Sequence, residues 1–101
     1  MKHAVVFRSE AQNEVADIAA YFVEQGSIDI ANRWCRAIEE TVNSLSEMPR
    51  RFPPAREADL FPGVELRQTL VMSHRIIFVI RDDAVHVLHV RHAARLNLND
   101  L

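Results

Sequence analysis

All four prolines of this 101-residue chain lie in one short segment, at positions 49, 53, 54 and 62. Proline fixes φ and lacks a backbone N–H, so this segment favours an extended loop over a regular helix or a central strand. The chain on either side contains no proline and can form uninterrupted elements. We expect three apolar side chains, Phe52, Leu60 and Phe61, to hold the loop against the core.

The chain before the loop has the pattern of one strand and two helices. Lys2 to Arg8 alternates loosely and is β-branched at its centre, which is typical of a strand. Helical spacing of apolar residues follows, first at Ala11, Val15, Ile18, Ala19 and Phe22. A second stripe comprises Ile30 or Ala31, Trp34, Ile38, Thr41, Leu45 and Met48.

The predicted helices are bounded by capping residues. Ser9, with Gln12 three positions later, matches a capping box. Gly26 stands where a left-handed residue ends the first helix, and Ser27 can cap the second at once. Because this connection is so short, the two helices must be antiparallel. We therefore predict that residues 9–48 form a helical hairpin that ends at the proline loop.

The chain after the loop has the pattern of three strands. In the first strand, Val64, Leu66 and Leu70 share one face. The second is a nearly continuous apolar run over 74–80, and the last strand covers 84–92. Short connections between them predict an antiparallel meander. The order β-α-α-β-β-β predicts an α+β fold, in which the helical hairpin packs on one face of an antiparallel sheet and buries Trp34. One such domain accounts for residues 1–101.

The composition is that of an ordinary globular domain, with 49% hydrophobic and 26% charged residues. No apolar run approaches the ~20 residues of a membrane span, and the N-terminal apolar stretch is too short for a signal peptide. The single cysteine, Cys35, fits a reducing compartment, and in mid-helix it is expected to pack as a small apolar residue. We expect a cytoplasmic protein without membrane association.

The net charge of −2 is unevenly distributed. Residues 9–48 carry two arginines against eight acidic residues, whereas residues 66–101 carry five arginines against three aspartates. This balance does not favour direct binding to nucleic acid, which needs a strongly basic surface. Two glycines in the whole chain exclude the usual nucleotide-binding loops, so no cofactor is expected.

Three histidines recur at intervals of three in the last predicted strand. On a regular strand, His89 points away from the face shared by His86 and His92. Those two then stand ~20 Å apart, at ~3.3 Å per residue. Tetrahedral zinc cannot bridge this distance, so we expect no metal site.

Arginines of the predicted sheet are the best candidates for a functional site. Arg67 and Arg75 lie on neighbouring strands, and Arg91, His92 and Arg95 lie at the end of the last one. Adjacent strands bring such positions within ~5–10 Å of each other. Guanidinium groups can hold a phosphate and an imidazole can move a proton. The same arginines can instead be solvated, with their stems covering apolar surface.

Several short motifs occur in a characteristic order along nearly the whole chain. They are Phe7-Arg8-Ser9, Ile18-Ala19-Ala20-Tyr21-Phe22, Leu45-Ser46-Glu47-Met48-Pro49, Leu66-Arg67, His74-Arg75-Ile76-Ile77-Phe78 and Val85-His86-Val87-Leu88-His89-Val90-Arg91-His92-Ala93-Ala94-Arg95. Together they resemble the ParE/RelE toxin superfamily of plasmid-stabilisation proteins. The resemblance implies the fold predicted above and a cognate antitoxin, through which any binding to operator DNA would occur.

The superfamily divides into two activities. ParE-like members poison DNA gyrase without known catalytic chemistry, whereas RelE-like members cleave mRNA on the ribosome. We favour the ParE-like branch, because the chain is acidic with one lysine and because Ala93, not tyrosine, follows His92. The predicted target-binding residues are Arg75, Arg91, His92 and Arg95.

Two alternatives remain at this point. In a RelE-like ribonuclease, Arg67, Arg75 and His92 would be the catalytic residues, acting on ribosome-bound mRNA. In a module without toxicity, the chain would only bind its antitoxin as a co-repressor.

Overall fold

The computed structural model describes residues 2–95 and confirms the predicted order of elements. The helices are α1 (Ser9–Glu24) and α2 (Ile28–Ser44), and the strands are β1 (Ala4–Phe7), β2 (Glu65–Val71), β3 (His74–Arg81) and β4 (Ala84–His92). Two short 3-10 turns, Pro49–Arg51 and Ala58–Leu60, lie within the proline loop. The fold is therefore α+β, with the order β-α-α-β-β-β.

The four strands form one sheet in the order β1-β4-β3-β2. Strands β2, β3 and β4 make the predicted antiparallel meander. β1 pairs in parallel with the first half of β4, from Ala4 opposite Ala84 to Phe7 opposite Val87. The sheet is thus mixed and mostly antiparallel. The strand patterns do not show the direction of β1, because no short turn joins it to its partner.

The connection between the helices is as predicted, but the end of α2 is not. Gly26 has a left-handed φ of 88°, and the Ser27 hydroxyl oxygen accepts the Ile30 N–H at 3.2 Å. Helix α2 ends at Ser44, earlier than its apolar stripe predicts. Met48 is exposed and has a left-handed φ of 46°, so it belongs to the turn that enters the proline loop.

The predicted cap at Ser9 is wrong. Helix α1 begins at Ser9 itself, and Arg8 occupies the capping position without a side-chain hydrogen bond. The side chain of Gln12 donates to the Phe7 carbonyl at 2.7 Å and so holds the strand end against the first turn. Ser9 and Gln12 therefore do not form a capping box: Ser9 is the first residue of the helix, and Gln12 bonds the end of the preceding strand.

Two apolar clusters pack against the two faces of the sheet. On the helix side, Trp34 is 1% exposed, as predicted, among residues that include Ile38, Val42, Leu45, Ile76, Phe78, Val87 and Val90. On the other face, which we call the loop side, the buried residues are Ala55, Leu66, Ile77 and Val79, with Phe61, Val64 and Leu88 packed against them. The proline loop therefore covers part of the face that the hairpin leaves open.

Two of the three predicted anchors of the loop are confirmed. Phe52 packs against the helix-side cluster, its ring 6.0 Å from that of Phe78. Phe61 packs on the loop side. Leu60 is exposed instead, because it closes a short 3-10 turn whose outer face meets solvent.

A β-bulge interrupts the alternation of β4. Ile77 pairs with His89 and Phe78 pairs with Val87, so Leu88 has no partner on β3. His86 pairs with Val79 of the loop-side cluster, whereas His92 pairs with His74, which stacks on Trp34. The prediction that His86 and His92 share a face is therefore wrong, because the extra residue shifts the alternation between them.

Candidate functional site

Arg75 is fully enclosed, on the loop side of the sheet. Its guanidinium donates to both carboxylate oxygens of Glu57, at 2.9 and 2.7 Å, and to the side-chain oxygen of Gln68 at 2.7 Å. Arg75 is 1% exposed and Glu57 is 0% exposed. Such a bidentate pair fixes the proline loop onto the sheet. This position gives Arg75 a structural role and removes it from the accessible surface, where a target-binding residue would need to be.

Arg67 lies on the opposite face from Arg75. It pairs with Phe78 of the helix-side cluster, and its guanidinium donates to the Phe52 carbonyl at 2.6 Å and to Glu65 at 3.1 Å. Hydrogen bonds from Arg50 lower the pKa of Glu65 and outweigh the opposing effect of burial, so this carboxylate stays charged beside Arg67. Both arginines are therefore engaged within the protein.

The three residues of the ribonuclease alternative do not meet. Arg67 and His92 lie on the helix side, at the edge strand β2 and at the end of β4 respectively, whereas Arg75 lies on the loop side. Proton transfer and phosphate binding must act on the same few atoms of a substrate. The expectation that neighbouring strands would bring these three side chains together overlooked which face each one occupies.

Strand β1 ends at Phe7 and pairs only with the first half of β4. Arg91 lies in the second half of β4, where this edge of the strand has no neighbouring strand among the described residues. There the carboxylate of Glu14 accepts the Val90 N–H at 3.0 Å and lies 3.4 Å from the Arg91 guanidinium. The same carboxylate contacts the His89 ring at 3.2 Å. Burial raises the pKa of Glu14, but these hydrogen bonds and charges outweigh it, so its pKa lies below the ordinary value. Glu14 thus accepts a backbone N–H of β4 that a neighbouring strand would otherwise bond.

His92 and Arg95 are exposed at the end of β4. The His92 Nδ1 accepts the Ala94 N–H at 3.0 Å, and its ring lies 5.2 Å from that of His74. Burial, and the nearby His92, lower the pKa of His74. His74 is therefore neutral at pH 7, and the exposed basic side chains of this surface are those of His92 and Arg95.

An apolar groove begins beside His92 and Arg95 and runs between the hairpin and the β2–β3 turn. We call it the aromatic groove; its volume is about 790 Å³, and its walls include Tyr21, Phe22, Ile30, Trp34, Met72 and His74. Tyr21, Ile30 and Met72 are large apolar residues with exposed side chains. A contiguous exposed apolar surface of this kind is a candidate binding site for a partner.

The apolar residues of the aromatic groove were absent from the predicted site. Tyr21 and Ile30 stand at or beside the apolar stripes of the helices, where core packing is the ordinary interpretation. Met72 occupies the β2–β3 turn with a left-handed φ of 55°. A large apolar residue in a tight turn was the available signal, because turns favour small polar residues.

Other chemistry finds little support in the described part of the chain. Burial, and then the charge of Glu39, raise the pKa of the Cys35 thiol, which disfavours the reactive thiolate. Within residues 2–95, no group of three or more His, Cys, Asp or Glu is placed to hold a metal ion. Neither described helix has the length and apolar character to cross a membrane.

Comparison with known families decides between the branches. A family model described as "ParE toxin of type II toxin-antitoxin system, parDE" matches residues 5–97. The chain belongs to the ParE toxin family. This confirms the predicted resemblance and its ParE-like branch, and it makes the chain the toxin component of a type II toxin–antitoxin system. A toxin of this family implies a cognate antitoxin as its partner.

A solved structure shows the same fold. The chain is similar to a protein of the "Chromosomal ParDE TA system from P. aeruginosa", with a TM-score of 0.72 and 15% sequence identity. The match covers 90% of this chain and 96% of that one. No curated protein matches the sequence. The two proteins thus have the same fold although few of their residues are identical.

Proposed function

We propose that this ParE-family toxin acts in the cytoplasm as an inhibitor of DNA gyrase, and that residues 1–101 form one toxin domain. The observation that carries the proposal is the distribution of basic groups. Arg67 and Arg75 are held by carboxylates and carbonyls of the protein itself, whereas His92 and Arg95 are exposed. Such a surface suits binding to another protein better than acid–base catalysis.

The proposed target-binding residues are those at the end of β4. Arg91 keeps part of its side chain accessible beside Glu14, and His92 and Arg95 lie next to the aromatic groove. Cationic and aromatic side chains beside an apolar groove are the composition that protein interfaces favour. The predicted set thus becomes Arg91, His92 and Arg95, without the enclosed Arg75.

The cognate antitoxin is proposed to cover the same surface. A segment with apolar side chains would fill the aromatic groove, and acidic side chains beside them would meet His92 and Arg95. An extended partner of this kind buries more than the ~1,600 Å² of a standard interface. Neutralisation then follows from direct competition for the target-binding residues. Binding to operator DNA would be a property of the antitoxin in the complex.

The proposal is tested with two assays run side by side. Purified toxin is added to gyrase in a plasmid supercoiling assay, and to translating ribosomes in an mRNA cleavage assay. We expect loss of supercoiling, relieved by the antitoxin, and intact mRNA. Cleaved mRNA with unaffected supercoiling would refute the proposal.

Variants at the end of β4 sharpen this test. Charge reversal at Arg91 would place two carboxylates together at Glu14, so Arg91→Gln is combined with Arg95→Glu. This double variant should weaken inhibition of gyrase by 10-fold or more, at about 1.4 kcal/mol per decade, through lost attraction and new repulsion. His92→Ala should retain most of the inhibition, because no proton moves on the toxin and the binding energy is spread over a patch centred on Arg91 and Arg95. A folded His92→Ala chain that binds its antitoxin but has lost all toxicity would refute gyrase inhibition by binding alone.

A further inference from the structure

A second concave surface lies on the loop side of the sheet, and the proposed function does not use it. We call it the basic pocket; its volume is about 350 Å³. Arg8, Arg81 and His86 stand around it, and Phe61, Val64 and Leu88 supply apolar walls. The volume falls in the range of sites that hold a few side chains or a small ligand.

The arginines of the basic pocket are free to meet a partner. Both side chains are exposed, and among residues 2–95 no carboxylate forms an ion pair with Arg8 or Arg81. Asp82 and Asp83 follow Arg81 in the β3–β4 turn, yet neither is paired with it. Elsewhere on the sheet and loop, Arg50, Arg67, Arg75 and Arg91 each have a carboxylate partner.

The basic pocket and the aromatic groove face in opposite directions. His86 belongs to the pocket and His92 to the groove, and the bulge at Leu88 places these two histidines on opposite faces of β4. A segment bound in one of them cannot reach into the other without passing around an edge of the sheet. The pocket is therefore a separate surface.

The combination of charges and apolar walls defines the ligand. Two guanidinium groups bind a carboxylate or a phosphate. The apolar walls add nothing to the binding of a phosphate backbone, but they favour a neighbouring apolar side chain. Neutralisation of two phosphates gives weak binding to DNA, and the net charge of −2 opposes it. A peptide with Asp or Glu beside a large apolar residue satisfies both features.

We propose that the basic pocket binds a segment of the cognate antitoxin in which a carboxylate stands next to a large apolar side chain. The proposal rests on the toxin–antitoxin partnership and is independent of gyrase as the target. It gives the antitoxin a contact on each face of the sheet. Arg8 and Arg81 are the charged contacts, and Phe61 and Val64 receive the apolar side chain.

The test measures binding of the full toxin chain to the antitoxin encoded beside it. The variant Arg8→Glu/Arg81→Glu is compared with Arg33→Glu/Arg36→Glu, which makes the same change of charge at two exposed positions of α2. We expect the pocket variant to weaken binding roughly 10- to 100-fold, while the α2 variant stays within about 3-fold of the wild type. The salt dependence of binding, between about 50 and 200 mM, should also be smaller in the pocket variant.

The neutral variant Arg8→Gln/Arg81→Gln gives an intermediate loss if the pocket acts through charge, and thermal unfolding of each variant verifies the fold. Equal binding by the pocket variant and the wild type would overturn the proposal, as would equal weakening in the α2 variant. Labelled duplex DNA that binds the wild type and not the pocket variant, with antitoxin binding unchanged, would identify phosphate as the ligand and overturn it too. A wild-type toxin that ignores the antitoxin would refute the partnership itself.

Discussion

Removing one partner of the buried pair of Glu57 and Arg75 should destabilise the protein strongly. Glu57→Gln keeps the shape of the side chain and removes its charge. The Arg75 guanidinium then keeps the neutral oxygen of Gln68, 2.7 Å away, and loses its anionic partner. At 1% exposure it cannot turn to water.

The expected loss is about 3–5 kcal/mol, the range for an uncompensated buried charge. Domains of this size are stable by about 5–15 kcal/mol, so the variant loses a large part of its stability. Each kcal/mol corresponds to a fall in Tm of about 4–8 °C. Because Glu57 lies in the proline loop, the loss should also release that loop from the sheet.

Urea unfolding, followed by the fluorescence of the single tryptophan, measures this loss. Arg50→Ala is the control, because it breaks an ion pair with Glu65 in which Arg50 is 55% exposed; exposed pairs contribute little to stability. The double variant Glu57→Leu/Arg75→Met should recover most of the stability, since apolar residues can replace a buried pair at little cost. A Glu57→Gln loss no larger than that of Arg50→Ala would refute the reasoning.

Two further perturbations test the packing beside the aromatic groove. Trp34→Ala should lower the free energy of unfolding by about 3–5 kcal/mol, measured by circular dichroism in urea, because it empties the centre of the helix-side core. Trp34→Phe should cost much less, since the Trp34 Nε1 has no hydrogen-bond partner in the described residues; equal losses would contradict this packing. Stability should also fall as the pH drops below about 6.5, because burial lowers the pKa of His74 and the unfolded chain then binds a proton that the native protein does not. This slope, at most about 1.4 kcal/mol per pH unit, should be absent in His74→Phe and present in His86→Gln; the same slope in both variants would exclude His74 as its source.

The secondary structure was predictable because it is encoded locally. The apolar stripe of α2 predicted that Trp34 is buried, and Gly26 and Ser27 predicted where one helix ends and the next begins. The continuous apolar run of β3 predicted a strand buried on both faces. Each of these signals depends on residues a few positions apart.

The site was harder to predict because it depends on contacts between distant residues. Nothing near Arg75 in the sequence indicates that Glu57 will lie beside it, since the path of the proline loop across the sheet brings them together. Similarly, Tyr21 and Met72 come from a helix and a turn, and only the packed fold makes them walls of one groove. The residue type was enough to select the arginines as candidates, but it did not predict which of them would be exposed.

The bulge at Leu88 has a consequence for comparing this strand with those of distant relatives. On either side of an extra residue, odd and even positions exchange their faces. Two relatives that differ by one residue at this point would align well in sequence while presenting different side chains to the helices. With 15% identity to the solved ParDE-system protein, little in the sequence would reveal the offset. Equivalent histidines and arginines should therefore be identified outward from the bulge in each direction, because a single count along β4 would assign them to the wrong partner.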